Sequence, residues 1–210
     1  MSYRLVIFDF DGTLADSSGW FIGVLDDLAK RHRFRTVDAE ELEEMRGLGN
    51  REIVRRFGIA KWKLPFIAAD LRKRAATADI ALFDGVAPLL AALRAKGIVC
   101  ALVRSNSEAN VRRVLGDQAA AFAIFDCGSG LFGKARRFAR VMKRAGVSPA
   151  ETLCIGDEQR DIEAAQKTGA ASGAALWGYA TRALLLACQP TLSFGHPAEI
   201  ADILVGARTS

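Results

Sequence analysis

Two aspartates, Asp9 and Asp11, close a short apolar run, Leu5-Val6-Ile7-Phe8, and Gly12 and Thr13 follow them. The run is β-branched and aromatic and reads as a strand buried on both faces. Positions i and i+2 of a strand share one side, so the two carboxylates can converge where the strand ends. Paired carboxylates repel unless a cation or a shared proton offsets them. Oxygen donors at this spacing suit a hard divalent ion, and Mg²⁺ typically takes one or two protein carboxylates together with phosphate oxygens. An Asp-Gly turn would explain the chain reversal but not the second acid at the end of a buried strand. A similar pairing recurs in Gly156-Asp157-Glu158-Gln159-Arg160-Asp161, where Asp157 ends the apolar run Thr152–Ile155. Asp161, four residues on, falls on the same face of a first helical turn.

The string Asp9-Phe10-Asp11-Gly12-Thr13-Leu14 after a buried strand resembles the DxDxT motif of the haloacid dehalogenase (HAD) superfamily. The resemblance extends in order along nearly the whole chain. Ser105-Asn106 follows the strand Ile98–Val103, Lys134 follows Gly133 at a helix start, and Asp157 and Asp161 match GDxxxD. The subgroup resembled is the phosphoglycolate-phosphatase-like and β-phosphoglucomutase-like set.

The resemblance implies a Mg²⁺-dependent phosphatase acting on a small phosphorylated metabolite through an aspartyl-phosphate. Asp9 would be the nucleophile, and Asp11 the acid for the leaving alcohol and the base for water. Ser105, with Asn106 beside it, would bind a phosphoryl oxygen, and Lys134 would neutralise the nucleophile and the phosphoryl group. Asp9, Asp11 through its backbone carbonyl, and Asp157 would hold the ion, with Asp161 binding directly or through water. The second aspartate disfavours a dehalogenase, which has no leaving alcohol to protonate. Two alternatives use the same fold: a phosphomutase of the β-phosphoglucomutase type, and a non-catalytic binding protein. Asp84 stands where similar proteins often carry proline.

These groups need a frame. From Leu82 onward strands alternate with helices, which implies α/β architecture: a Rossmann-like parallel sheet with helices on both faces and ligands at the strands' carboxyl ends. Expected strands are Ile98–Val103, Ala123–Phe125, Thr152–Ile155 and Ala170–Trp177; expected helices are Pro88–Lys96, Ser107–Leu115, Lys134–Ala145, Arg160–Thr168 and Pro197–Val205. Residues 16–81 contain no convincing strand. Helices are expected over Ser18–Arg33 (capped by Asp16 or Ser17), from Asp38 to Met45, over Arg51–Phe57 capped by Asn50, and from Pro65 to Ala76. Residues 16–81 are therefore expected to form an inserted all-helical cap domain, and residues 1–15 and 82–210 the core. Within the cap, Arg46, Gly47 and Asn50 lie in Arg-Gly-Leu-Gly-Asn-Arg between two helices, where an arginine could grip an anionic substrate. A helix corner with solvated arginines accounts for them equally. Trp62 is expected in the cap's core.

The chain has 210 residues, half of them hydrophobic, and a formal net charge of +5. Its basic residues cluster in amphipathic helices, Arg136, Arg137 and Arg140 among them, so solvated helix faces account for the charge better than a nucleic-acid partner. No apolar run is long enough to span a membrane, and Asp9 and Asp11 interrupt the N-terminal one. The expected location is cytoplasmic and the expected assembly a monomer or homodimer. The four cysteines form no CxxC spacing and read as reduced thiols. His32 and His196 are the only histidines and lie away from these motifs, so acid–base chemistry falls to carboxylates.

Overall fold

The computed structural model describes residues 2–104, 107–128 and 133–206. Among them are eight strands: β1 (Leu5–Phe8), β2 (Ala15–Asp16), β3 (Ala81–Leu82), β4 (Val99–Arg104), β5 (Phe122–Cys127), β6 (Thr152–Gly156), β7 (Ala171–Ala175) and β8 (Leu192–Phe194). Six of them form one parallel sheet in the order β5-β4-β1-β6-β7-β8. All four residues of β1 are buried, as its composition demands of a central strand. The helices are α1 (Ser18–His32), α2 (Ala39–Met45), α3 (Asn50–Arg56), α4 (Leu64–Ala75), α5 (Val86–Ala95), α6 (Glu108–Leu115), α7 (Lys134–Ala145), α8 (Gln159–Thr168), α9 (Arg182–Ala187) and α10 (Pro197–Gly206).

Strand periodicity decides what covers each face of the sheet. Val6 and Phe8 pack with Leu89, Leu90 and Leu93 of α5 and Ile200 of α10. Leu5 and Ile7 point the other way, onto Phe138, Val141 and Met142 of α7 and Ala164 and Ala165 of α8. The sheet is thus the Rossmann-like layer expected, with helices on both faces.

Between β2 and β3 all the secondary structure is helical, and α1, α2, α3 and the loops beside them gather an apolar cluster of their own around Leu25, Met45 and Phe57. Both crossings to this helical block pass through one antiparallel ribbon, in which Ala15 pairs with Leu82 and Asp16 with Ala81. Two-residue strands give too short an alternation to read in sequence, and this ribbon was not expected. Nor were α9 and β8, which occupy a stretch with no clear period. α5 begins two residues before Pro88, since an early helical position needs no N–H partner.

Two caps fall where the sequence puts them, and several other side chains depart from expectation. Asp38 caps α2 by accepting from the Glu41 N–H, and Ser107 caps α6 by accepting from that of Asn110. Ser17 precedes α1, but its hydroxyl makes no cap and donates to Asp11 instead. Asn50 lies inside α3, after Gly49, and its amide donates to Glu158 of the core. Trp62 is 68% exposed, against an edge-on Phe66, because it lies in a short 3₁₀ turn leading into α4 rather than on a packed helix face. Arg137 is no solvated face residue. It is buried, donating through Nε to Asp126 Oδ1 at 2.9 Å and through Nη2 to the carbonyl of Arg104 at 2.6 Å. It thereby ties together the ends of β4 and β5.

Asp70 of α4 faces three basic side chains: His32 Nε2 at 3.0 Å, Arg31 Nε at 3.3 Å and Arg74 Nε at 3.3 Å. Burial pushes its carboxyl up, but hydrogen bonds from His32 and Arg74 and the nearby arginine charges outweigh it and leave it below the usual carboxylate range. A pKa lowered by folding gives stability that is present above the unfolded value and lost as pH falls through the folded one. Asp70→Asn is expected to cost about 1–2 kcal/mol at neutral pH, on the scale of hydrogen bonds to charged groups. The deficit relative to wild type should shrink below about pH 4, near the unfolded aspartate value. Denaturant melts at several pH values measure both.

Candidate active site

The site lies at the carboxyl end of the sheet, built from strand ends and from the first turns of α7 and α8, which carry Lys134 and Asp161. β1 delivers Asp9 and Asp11, β4 Arg104, β6 Asp157 and β7 the loop Leu176–Ala180. Asp9, Asp157 and Asp161 converge, all three buried with a carboxylate oxygen of each within 4.8 Å of the others, whereas Asp11, expected from strand alternation to converge with Asp9, is not part of the group. Lys134 opens α7 after Gly133, whose φ of 96° suits glycine alone. Its Nζ lies 2.7 Å from Asp9 Oδ2 and pairs with Asp161 Oδ1. Asp161 also accepts from the Glu158 N–H, closing a reciprocal capping box at the start of α8. Asp157 is not the helix cap. Its Oδ1 accepts from Thr13 Oγ1 at 2.7 Å and its Oδ2 from the Tyr179 N–H at 2.9 Å.

The electrostatics sort the carboxylates. Burial would raise Asp9, but Lys134 and Arg160 outweigh it and hold the carboxyl below its ordinary value, a poised anion. Burial raises Asp157 well above the carboxylate range, and Glu158, Asp161 and Asp9 push the same way. Burial likewise pushes Asp161 up to about 6, against the pull of Lys134. Asp9, Asp157, Glu158 and Asp161 together face two cations, Lys134 and the half-buried Arg160. An all-oxygen donor set with surplus negative charge fits a hard divalent cation.

Asp11 turns away from this cluster. Its carboxylate meets Arg104 Nη2 at 2.6–2.7 Å and accepts from Ser17 Oγ at 2.9 Å. The Ser17 oxygen lies 2.6 Å from the Tyr179 hydroxyl. Because the Ser17 hydroxyl donates to Asp11, it accepts a hydrogen bond from the Tyr179 hydroxyl. Burial raises the Asp11 carboxyl, Arg104 opposes that, and Asp9 reinforces it.

Two glycines let Asp157 into this space. Gly12 sits at φ 70°, and a Cβ there would lie 2.1 Å from Asp157 Oδ2; a Cβ on Gly178 would lie 2.2 Å from Asp157 Cβ and 2.5 Å from the Gly12 carbonyl. Gly178→Ala is therefore expected to displace Asp157 or the loop and to weaken divalent-metal affinity by roughly 10–100-fold, the scale for disturbing groups that orient a metal ligand. Calorimetric titration with Mg²⁺ beside wild type measures it.

The cap residues lie at the seam between the helical block and the core. Arg46 Nε donates to the Tyr179 carbonyl at 2.9 Å, and its Nη1 meets Glu43 at 2.8 Å; the Thr181 N–H donates to the Arg46 carbonyl. A Cβ on Gly47 would meet the Glu44 carbonyl at 3.3 Å, while Asn50 reaches Glu158 at 3.1 Å. Ser105 and Asn106 lie outside the described residues.

The sequence reading missed Thr13, Ser17, Arg104, Arg160, Trp177 and Tyr179. Trp177 Nε1 donates to the Thr13 carbonyl at 3.1 Å, pinning the loop after β7 over the turn after β1. A signal for that loop exists in the sequence, since β7 is expected and ligands gather at the carboxyl ends of parallel strands.

Comparison with known sequences then decides the family: the model for "Haloacid dehalogenase-like hydrolase" matches residues 6–175. The chain belongs to this family. It is 31% identical over 201 residues to a phosphoglycolate phosphatase of Synechococcus elongatus, covering 94% of this chain and 95% of that one. It is also 29% identical over 217 residues to tyrosine-protein kinase PtkA of Mycobacterium tuberculosis, covering 96% of this chain and 72% of that one. Among solved structures, a predicted phosphatase from Clostridium acetobutylicum superposes with a TM-score of 0.83 at 18% identity, over 98% of this chain and 100% of that one, a likeness of fold. Within the haloacid dehalogenase-like hydrolases the chain groups with the phosphoglycolate-phosphatase-like members. Among the described residues no helix is long and apolar enough to cross a membrane.

Proposed function

We propose that this hydrolase is a Mg²⁺-dependent phosphatase that hydrolyses a small phosphate monoester through an aspartyl-phosphate on Asp9. The observation that carries the reading is the pairing of Asp9 with Lys134 at the rim of a buried acidic cluster, with Asp11 beside it but turned to other partners. That division gives two neighbouring carboxylates two different environments, the condition for assigning them different roles.

In the first half-reaction a carboxylate oxygen of Asp9 bonds to phosphorus in line as the bond to the leaving alkoxide breaks. The Asp11 carboxyl gives its proton to that alkoxide. In the second half, Asp11, now a carboxylate, takes a proton from water. The water oxygen bonds to phosphorus, and the phosphorus–Asp9 bond breaks to release phosphate. Lys134 stays beside Asp9 throughout and offsets charge on the phosphoryl oxygens. Ser105 and Asn106 are assigned the remaining phosphoryl contacts. Bound Mg²⁺ would be held by Asp9, the Asp11 carbonyl and Asp157, and supplies neutralisation of phosphoryl charge. Asp161, already engaged by Lys134 and the Glu158 N–H, suits the orientation of Lys134 and an outer contact to the ion.

Residues 16–81 act in this scheme as a cap that excludes water and selects the substrate. Arg46, Gly47 and Asn50 are assigned to its substrate-facing edge, a reading supported by the contacts of Arg46 with the Tyr179 carbonyl and of Asn50 with Glu158. The test is phosphate release from a panel of phosphorylated metabolites with Mg²⁺ and with chelator. Mg²⁺-dependent release supports the phosphatase. Isomerisation of a sugar phosphate without net release would make it a mutase, and neither activity on any substrate would leave a binding protein.

A further inference from the structure

Arg104 is a charged residue at the end of a central strand whose neighbours in β4 are apolar, and it is 6% exposed. A guanidinium in such a place is costly unless it is paired. Its pairing is specific: Nη2 contacts both oxygens of Asp11, at 2.7 and 2.6 Å, and the guanidinium carbon stacks 4.6 Å from the centre of the Phe10 ring. Its Nε is buried with no hydrogen-bond partner among the described residues, while the other end of the guanidinium sits on Asp11. The backbone is fixed too. The Arg104 carbonyl accepts from buried Arg137 Nη2 at 2.6 Å and from the Gly128 N–H at 3.2 Å.

We propose that Arg104 is a positioning residue for Asp11: its guanidinium holds the Asp11 carboxylate off the acidic cluster of Asp9, Asp157 and Asp161 and aims it at the leaving group. The proposal rests on the phosphatase reading for its kinetic arm only. Asp11 lies two residues from Asp9 and could turn the same way, toward the cluster. What keeps it apart is the pull of Arg104 from one side and Ser17 from the other. Ser17 alone offers one neutral hydrogen bond on a flexible rotor, whereas a guanidinium on a pinned strand provides a fixed, charge-assisted anchor. Phe10 fixes the plane of that anchor by contact with its face. Among the described residues the Arg104 guanidinium pairs with Asp11 and not with Asp9, so its effect on the reaction passes through Asp11.

A positioning role predicts a split that a merely structural role would not give. Arg104→Met keeps the side-chain volume over Phe10 and removes the anchor. The rate at which an alkyl phosphate phosphorylates the enzyme should fall by about 100-fold, the scale for a catalytic group misplaced by about an ångström. The burst rate on an aryl phosphate, whose leaving group needs little protonation, should stay within about threefold. Arg104→Gln, which restores a donor without the charge, should recover part of the alkyl rate. It also serves if the methionine variant does not fold. Equal losses on both substrate classes, or none on either, overturn the proposal.

Crystal structures of wild type and variant give a readout independent of turnover. The Asp11 carboxylate should leave its place beside Ser17 in the variant, and a carboxylate that stays put overturns the proposal. If wild type hydrolyses neither substrate class, the phosphatase reading fails while the crystallographic comparison still decides the role of Arg104.

Discussion

Replacing Asp9 with asparagine is expected to abolish turnover while leaving the fold intact. The amide keeps the volume and can still meet Lys134, but it has no oxygen anion to attack phosphorus. Removing the nucleophile from a set of groups that act together costs on the order of 10⁴–10⁶-fold in kcat. Stability should change little. The substitution gives up the pairing of Asp9 with Lys134, but it also relieves the repulsion among three buried carboxylates, and Lys134 keeps Asp161. Steady-state kinetics together with a thermal melt measure both halves. Near-wild-type turnover with an unchanged melt would remove Asp9 from the mechanism.

Asp11→Asn should separate the two half-reactions instead of stopping both. Asp9, Lys134 and the Asp11 backbone carbonyl all remain, so metal and substrate should bind. What disappears is the proton for the leaving group and the base for water. An aryl phosphate can still phosphorylate Asp9, and the acyl phosphate should then accumulate because no carboxylate activates the attacking water. Alkyl phosphates should lose about 10²–10⁴-fold, the usual worth of general acid–base catalysis. A burst of aryl alcohol followed by a slow steady state is the expected trace. Loss of both activities together, with no burst, would deny Asp11 this role.

Both predictions concern residues that were legible in the sequence, and the reason is physical. Asp9, Asp11 and Asp157 stand at the ends of strands whose residues are almost wholly apolar, so a carboxylate there contrasts with its surroundings. Asp161 was legible through a helix start, where its spacing from Asp157 fixes direction, while Lys134 was legible only through the family resemblance, since a lysine at a helix start is otherwise a surface residue. Arg104 gave no such contrast, since an arginine at the end of a strand usually reaches solvent, and only the tertiary fold places Asp11 and Phe10 in its path. Arg137 was misjudged for the same reason: a basic helix looks solvated until β4 and β5 are packed against one of its turns. Trp62 erred in the opposite sense. Aromatic character suggests burial, but a residue in a 3₁₀ turn has no helical face to bring it inward. The sheet and its flanking helices were read from alternation, while β2, β3, β8 and α9 are too short to carry a period.

The short ribbon of β2 and β3 has a consequence for how such a protein can be altered. The strand leaving the core and the strand returning to it lie side by side, Ala15 against Leu82 and Asp16 against Ala81. The sheet therefore meets everything between them as a single loop of fixed width, whatever its length. Because the cost of closing a loop grows only slowly with the number of residues in it, the whole excursion can be exchanged for a foreign segment grafted onto the same two rungs. A graft made this way would also remove the Ser17 hydroxyl that reaches Asp11 and the Asn50 amide that reaches Glu158, so a foreign segment must supply both contacts to leave the site as it is.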